Sequence, residues 1–300
     1  MSRLSIALFL LFAVSLRGAA FSAPAAEGNT TPSNKQESFV NVEDGKLYYQ
    51  ECGSGPFAVI LIHDGIADSA VWDEVWPEFC KHFHAVRYDR RGYGKSPVAG
   101  TWYYETDDLL ALLHQLRIHE AVLVGSSHGG ELSIDFTLAH PELVKQLVLV
   151  GAVVSGLPYS DYFLNRGIQN SRAFKEEGTA AGLESWSKDR YLLNPAHIDA
   201  QKRLLAILKA SPQDMTHNDF PRPTQPALPR LHEIRMPTLI LVGDADIPDV
   251  HAHAGAIEAG IPDSRLVVVP EVGHLMYLEK PDEFNKIVIP FIESQVPGTP

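Results

Sequence analysis

The sequence predicts an α/β fold in which a mostly parallel sheet, flanked by helices, carries a helical cap as an insertion. Three observations predict it. Aliphatic runs alternate with amphipathic stretches along most of the 300 residues, as strands joined by crossover helices do. Runs such as "AVILI" and "AVLVG" are apolar without alternation, which suits strands covered on both faces. The rhythm then breaks once, for about 80 residues from Val154 to Glu233, and a simple loop of that length is foreign to a compact domain.

The chain opens with Met1-Ser2-Arg3 and the apolar run Leu4–Leu16, followed by small residues. That order reads as an export signal over 1–23, cleaved between Ala20 and Ala26. Its apolar run is shorter than the roughly 20 residues a membrane-spanning helix needs, so no stable membrane span is expected after cleavage. Residues 24–37 are small and polar and are expected to be a disordered leader. The core should then occupy 38–153 and 234–296, with the cap over 154–233.

Within the core, "SFVNV" and "KLYYQEC" read as a hairpin around Asp44-Gly45. "FAVILIHDG" is a buried strand, residues 69–83 a helix, and "HAVRYD" a strand. A helix over "YETDDLLALLHQLRI" follows, with Thr106 and Asp107 as candidate caps. "AVLVG", a helix from "GGELS", and "KQLVLVGAV" complete the first half. Beyond the cap come "PTLILVGD", a helix around "VHAHAGAIEAG" with Asp249 as candidate cap, "SRLVVVP" and a last helix over "PDEFNKIVIPFIES". Cys52 and Cys80 are the only cysteines; two do not make a disulfide scaffold in a chain this long, and two isolated buried thiols are the favoured reading.

Net charge is −12, with no cluster of Lys and Arg, which argues against nucleic acid as a partner. Chemistry concentrates elsewhere. Gly125-Ser126-Ser127-His128-Gly129 fits G-x-S-x-G on Ser127, between a strand and a helix, the setting of a nucleophile elbow. Ser126 does not fit, because Val124 would take its first glycine position. A serine hydroxyl needs a base, and His274 follows the last strand, on a loop that opens onto the same sheet edge. Of the 13 histidines, most sit on or beside helices. His251 and His253, two residues apart, do not share a helical face and make a poor metal pair. The third member is a carboxylate from Asp244, Asp246 or Asp249, with Asp246 favoured.

With the order Ser127…Asp246…His274, the chain resembles the alpha/beta-hydrolase superfamily, in its Ser–Asp–His branch with a helical cap, over about residues 38–295. "YDRRGYGKS" matches the superfamily's D-x-R-G-x-G-x-S stretch at Asp89, Arg91, Gly92, Gly94 and Ser96. Its charged pair and glycines are expected to hold a loop beneath the elbow. "LIHDGIADSAVW" matches the oxyanion loop, with Asp64 in place of a glycine. The resemblance implies an oxyanion hole from the backbone N–H groups of Gly65 and His128, with Ile66 as runner-up to Gly65. Asp64 should point away or be paired, and His63 should brace the loop.

The resemblance implies a serine hydrolase acting on a small-molecule acyl substrate, most simply a carboxylic ester, through an acyl-enzyme. No metal or organic cofactor is implied. Lactone or carbon–carbon bond hydrolysis is the alternative within the superfamily, and a slow-turnover, receptor-like binding protein or a non-catalytic interaction protein the alternative outside it. Haloalkane and epoxide hydrolysis is disfavoured, because it uses an aspartate where Ser127 stands. The export signal puts the protein in the periplasm or outside the cell. Tyr159, Tyr162, Phe163, Trp186 and Tyr191 either line a substrate pocket or form the cap's own small core.

Overall fold

A hairpin with two central residues starts the sheet: β1 (Gln36–Val42) and β2 (Gly45–Cys52) close at the Val42–Gly45 pair, with Asp44 at φ +54°. The strand begins earlier than the sequence suggests. Gln36 and Glu37 pair with Glu51 and Gln50, because the ladder continues for as long as β2 offers partners; they belong to β1 and not to a leader. The protein is seen in a computed structural model that describes residues 36–217 and 220–294. The segments expected as signal and as leader up to residue 35 lie outside the described residues.

The remaining strands are β3 (Ala58–Ile62), β4 (His84–Tyr88), β5 (Ala121–Ser126), β6 (Val144–Val150), β7 (Thr238–Gly243) and β8 (Ser264–Val269). The sheet runs β1-β2-β4-β3-β5-β6-β7-β8 and is parallel apart from the pairings of β2. After β3 the chain builds β4 on one side of it and β5 on the other. At such a switch point the loops beyond the strand ends part, and a crevice opens between them.

Helices α1 (Trp76–His82), α2 (Glu105–Gln115), α3 (His128–Ala139), α7 (Pro248–Gly260), α8 (Met276–Glu279) and α9 (Pro281–Glu293) belong to the core. Alternate residues of one strand feed two clusters. Val59 and Leu61 pack with Trp72, Phe79, Tyr277 and Phe284; Ala58, Ile60 and Ile62 pack with Leu109, Leu112, Phe136 and Ile257. That is why "AVILI" is apolar throughout.

Three local expectations change. The helix expected over 69–83 is a short 3-10 turn, Ser69–Trp72, followed by α1. Pro77, lacking an N–H, stands in the first turn of α1 and not mid-helix. Neither Thr106 nor Asp107 caps α2; both lie in its first turn after Tyr104, where Asp107 meets the positive dipole end. Asp249 does not cap α7 either. It accepts hydrogen bonds from the Ser160 N–H (2.6 Å) and hydroxyl (2.8 Å), tying the start of the cap to the core.

Cys52 and Cys80 form a disulfide, contrary to the reading as separate thiols, with Cα atoms 5.2 Å apart. Strand pairing explains it. Cys52 lies opposite Ala85, and α1 leads into β4 so that Cys80 arrives beside the end of β2. Gly53, at φ +71°, fits the same corner; a Cβ there would stand 2.3 Å from the Cys80 carbonyl oxygen.

Between β6 and β7 the chain forms α4 (Asp161–Glu176), α5 (Thr179–Ser187) and α6 (Ile198–Ala210). The Ser160 hydroxyl caps α4, accepting from the Phe163 N–H at 3.2 Å. This segment is fastened to the core at several points. Ser211 donates to Asp68 (2.7 Å), and Asp214 accepts from the Gly94 N–H (2.9 Å). The Tyr191 and Leu192 carbonyls accept from the N–H groups of His274 and Leu275, at 2.8 and 3.0 Å. Among the described residues no helix is long and apolar enough to cross a membrane.

Candidate active site

β5 ends at Ser126 and α3 starts at His128, so Ser127 alone makes the turn, at φ 54° and ψ −116°. A side-chain-bearing residue rarely adopts that backbone, and strain of this kind persists only where the surroundings impose it. Here they do. A Cβ on Gly125 would lie 2.3 Å from the Gly129 carbonyl oxygen, and one on Gly129 would lie 2.4 Å from that of Ile62. The two serines separate accordingly. Ser126 is fully buried, its hydroxyl 3.0 Å from that of Tyr277, whereas Ser127 lines a cavity between core and cap.

Asp246, on the loop after β7, and His274, on the loop after β8, line the same cavity. His274 Nδ1 stands 2.7 Å from Asp246 Oδ2. The carboxylate only accepts, so Nδ1 carries the proton and Nε2 is left as the basic nitrogen. Burial opposes a charge on His274, but the Asp246 carboxylate outweighs it and raises the imidazole above its ordinary pKa. Asp246 Oδ1 is held by the Ile247 N–H at 2.7 Å. Of the rival carboxylates, Asp244 is exposed and Asp249 is engaged with Ser160. No hydrogen bond joins Ser127 to His274 among the described residues; they share the cavity wall, and such contacts tighten on substrate binding.

Sequence reasoning missed the residue that makes room for this pair. Gly151, one position beyond β6, adopts φ +52°, and a Cβ there would lie 2.8 Å from His274 Nδ1. "VGAV" reads as strand, and nothing in it announces that a histidine from residue 274 packs against it.

The loop after β3 supplies the opposite wall. Asp64 is buried, and its Oδ1 accepts from the N–H groups of Ile66 (2.7 Å) and Ala67 (3.1 Å). The Ile66 N–H, the runner-up donor, is therefore occupied. Gly65 borders His128 closely: a Cβ on it would lie 3.7 Å from His128 Cβ. Burial raises the Asp64 carboxyl above the usual range, and Tyr277 donates to its Oδ2 at 3.3 Å. His63 accepts from the Arg90 N–H through Nε2 (2.9 Å), so its Nδ1 donates to the Asp64 carbonyl (2.8 Å). Burial, aided by Arg90, keeps the ring neutral, as befits a brace.

Asp89 and Arg91, the charged residues of the motif, each hold their own partners. Asp89 receives the Ser69 and Lys95 N–H groups, and Arg91 makes a two-pronged bond to Asp108 at 2.6 and 2.7 Å. Behind His128 lies a contact the sequence did not reveal. Its Nε2 is 2.7 Å from Glu105 Oε2, and Arg90 holds Oε1 of the same carboxylate at 2.7 Å. Burial works against a charge on His128, but Glu105 outweighs it and raises the imidazole to about 9. Glu105 thus favours the protonated form of His128.

The cap closes the cavity with Tyr159, Phe163, Arg166 and Trp186. Tyr162 and Tyr191 lie outside the lining and bond to each other through their hydroxyls at 2.6 Å. The cavity is partly open and its volume is about 150 Å³, the scale of a benzene-sized group. Among the described residues no cluster of three His, Cys, Asp or Glu side chains could hold a metal ion.

A sequence model described as the alpha/beta hydrolase family matches residues 59–287. A 2-hydroxy-6-oxononadienedioate/2-hydroxy-6-oxononatrienedioate hydrolase of Klebsiella pneumoniae is 28% identical over 282 residues, covering 85% of this chain and 94% of that protein. Among solved structures, an esterase from Exiguobacterium antarcticum superposes with a TM-score of 0.72 at 22% identity, over 86% of this chain and all of that one. A thermophilic esterase from Thermogutta terrifontis gives 0.71 at 23%, over 86% and 98%. At such identities the two structures establish a shared fold.

Proposed function

The chain belongs to the alpha/beta hydrolase family, and from that premise we propose that it is a serine hydrolase of carboxylic esters or closely related acyl bonds. One observation carries the reading: the Asp246–His274 pair and the strained Ser127 face one cavity at the sheet's switch point. Ser127 attacks the acyl carbon while His274 Nε2 takes its proton and Asp246 holds the imidazolium. The N–H groups of Gly65 and His128 receive the developing oxyanion; removing one such donor costs about 10²–10³ in rate. The proton then passes from His274 to the leaving alcohol, and water releases the acid by the same route.

Esters of graded acyl length, with lactones alongside, test this. Turnover with a maximum at short acyl chains is expected, falling at least about 10³-fold in Ser127→Ala. Turnover untouched by that substitution, or tight binding of such compounds without turnover, would refute the reading. A second reading, cleavage of a carbon–carbon bond beside a ketone, rests on the Klebsiella relative, whose name gives an oxo-dienedioate, a compound with no ester to cleave. A 2-hydroxy-6-oxo-dienoate in the same panel, whose conjugated system can take up the electron pair of the broken bond, distinguishes the two.

Export is also proposed. It is supported by the charged start and apolar run of residues 1–23, and by the Cys52–Cys80 disulfide, since such bonds persist chiefly outside reducing compartments.

A further inference from the structure

The charges on the cavity wall are not evenly disposed. Two basic side chains line it, His128 on the core side and Arg166 on the cap side, while the carboxylates that pair with them, Glu105 and Asp189, stand outside the lining. The carboxylates that do line it, Asp64 and Asp246, are engaged. Asp64 receives two backbone N–H groups and the Tyr277 hydroxyl, and Asp246 holds His274 and the Ile247 N–H.

Arg166 is also only partly neutralised. Asp189 takes its Nε (2.8 Å) and Nη2 (2.7 Å), and among the described residues Nη1 has no partner. The same carboxylate accepts from Asn170 Nδ2 (2.6 Å) and from the N–H groups of Tyr191 (2.9 Å) and Leu192 (3.2 Å). Five donors on two oxygens exceed the roughly four lone-pair sites a carboxylate offers, so its charge is shared widely. The guanidinium is oriented by this contact and lies 5.5 Å from the Trp186 ring and 5.7 Å from that of Tyr191. Arg166 is held still, and its positive charge is felt at His274, where it opposes protonation.

We propose that Arg166 Nη1 is a specificity contact for an anionic group on the acyl side of the substrate, so that the preferred substrates are half-esters of short dicarboxylic acids or acyl compounds with a comparable terminal carboxylate. This rests on the serine-hydrolase reading and deepens it. The cavity limits the acyl group to a few carbons between the ester carbonyl and the carboxylate. Tyr159 and Phe163, stacked with ring centres 4.3 Å apart, give the carbon chain an apolar wall to lie against.

Monoethyl glutarate and ethyl 5-methylhexanoate test it, because they release the same alcohol and differ only in whether a carboxylate or an isopropyl group ends the acyl chain. For the unaltered protein, kcat/KM is expected to favour the half-ester at least about tenfold. Arg166→Met should lower that ratio at least about tenfold, and Arg166→Lys, which keeps the charge without the fork, should fall between. A ratio at or below one in the unaltered protein overturns the proposal, as does a ratio unchanged in Arg166→Met. Should Arg166→Met fail to fold, the unaltered protein and Arg166→Lys decide alone: no preference, or an undiminished one in Arg166→Lys, overturns it. If neither ester is hydrolysed, the graded panel decides the hydrolase reading, and the subsite is read by calorimetry with glutarate on Ser127→Ala. Binding weakened at least about tenfold by adding Arg166→Lys supports the subsite, and no binding, or binding insensitive to it, overturns it.

Discussion

On the core side of the cavity, Ser127, Asp246 and His274 stand one, three and five residues beyond β5, β7 and β8, strands whose hydrogen-bonded ladders set where each loop begins. On the cap side, Phe163, Arg166 and Trp186 stand on α4 and α5, and α4 has no fully buried residue. The core wall is placed by the sheet's backbone, the cap wall by side chains such as Asp189 and Ser160. A change of side chain in the cap can therefore alter what is bound while leaving the reacting groups where the sheet puts them.

The comparison is broken most severely at Asp246. Asp246→Asn is expected to lower kcat by about 10³–10⁴, because an amide does not hold the required tautomer. It should also move the acidic limb of the pH–rate profile. His274 acts as a base only when neutral, so activity rises with pH through its pKa, which Asp246 raises above the ordinary 6.5. Without the carboxylate, only the weaker pull of Asp64 opposes burial and Arg166, and the limb shifts to lower pH. A limb that stays in place contradicts the pairing.

Stability and chemistry part company at the disulfide. Cys52→Ala with Cys80→Ala opens a bridge between residues 28 positions apart, a loss of about 3–4 kcal/mol by the loop-entropy relation. Denaturant melts should show it, while kcat of the folded protein stays within about twofold. A large loss of kcat would mean that the hairpin edge of the sheet positions the site.

Gly151→Ala is expected to lower kcat/KM by about 10- to 100-fold, because its Cβ would press on His274 Nδ1 at 2.8 Å and displacements of this size at reacting groups carry such costs. Unchanged kinetics would show that the loop after β6 yields freely. The smallest effect lies at the seam between the walls. Asp214 Oδ2 is buried without a hydrogen-bond partner, and burial, with Asp68 and Asp89 nearby, raises the carboxyl to about 8. The folded protein thus keeps a proton that the unfolded chain releases near pH 4, and stability falls as pH rises from about 4 to 8. Asp214→Asn should raise stability at pH 8.5 by about 1–3 kcal/mol and leave it nearly unchanged at pH 4. An increment equal at both pH values would count against the buried acid.

Legibility followed distance along the chain. The alternation of strands and helices, the elbow at Ser127 and the position of His274 all depend on neighbours within a few residues, and such signals are written locally. The Cys52–Cys80 bond, the space cleared by Gly151, the Glu105 contact to His128 and the Arg166–Asp189 pair depend on segments 28, 123, 23 and 23 positions apart. Their residues look ordinary alone: a glycine ending a strand, a glutamate in a helix's first turn. Cap aromatics were visible as a group, but which ones face the cavity depends on how α4 lies against the core, and three of the five named do.

Reaction with a fluorophosphonate, followed by peptide mapping, tests the central claim most directly, since only an activated hydroxyl beside a base reacts with it quickly. A single adduct at residue 127 is expected, slow to form in the Asp246→Asn protein and missing from Ser127→Ala. An adduct on Ser126 or any other serine, or labelling that persists when residue 127 is alanine, would contradict the account.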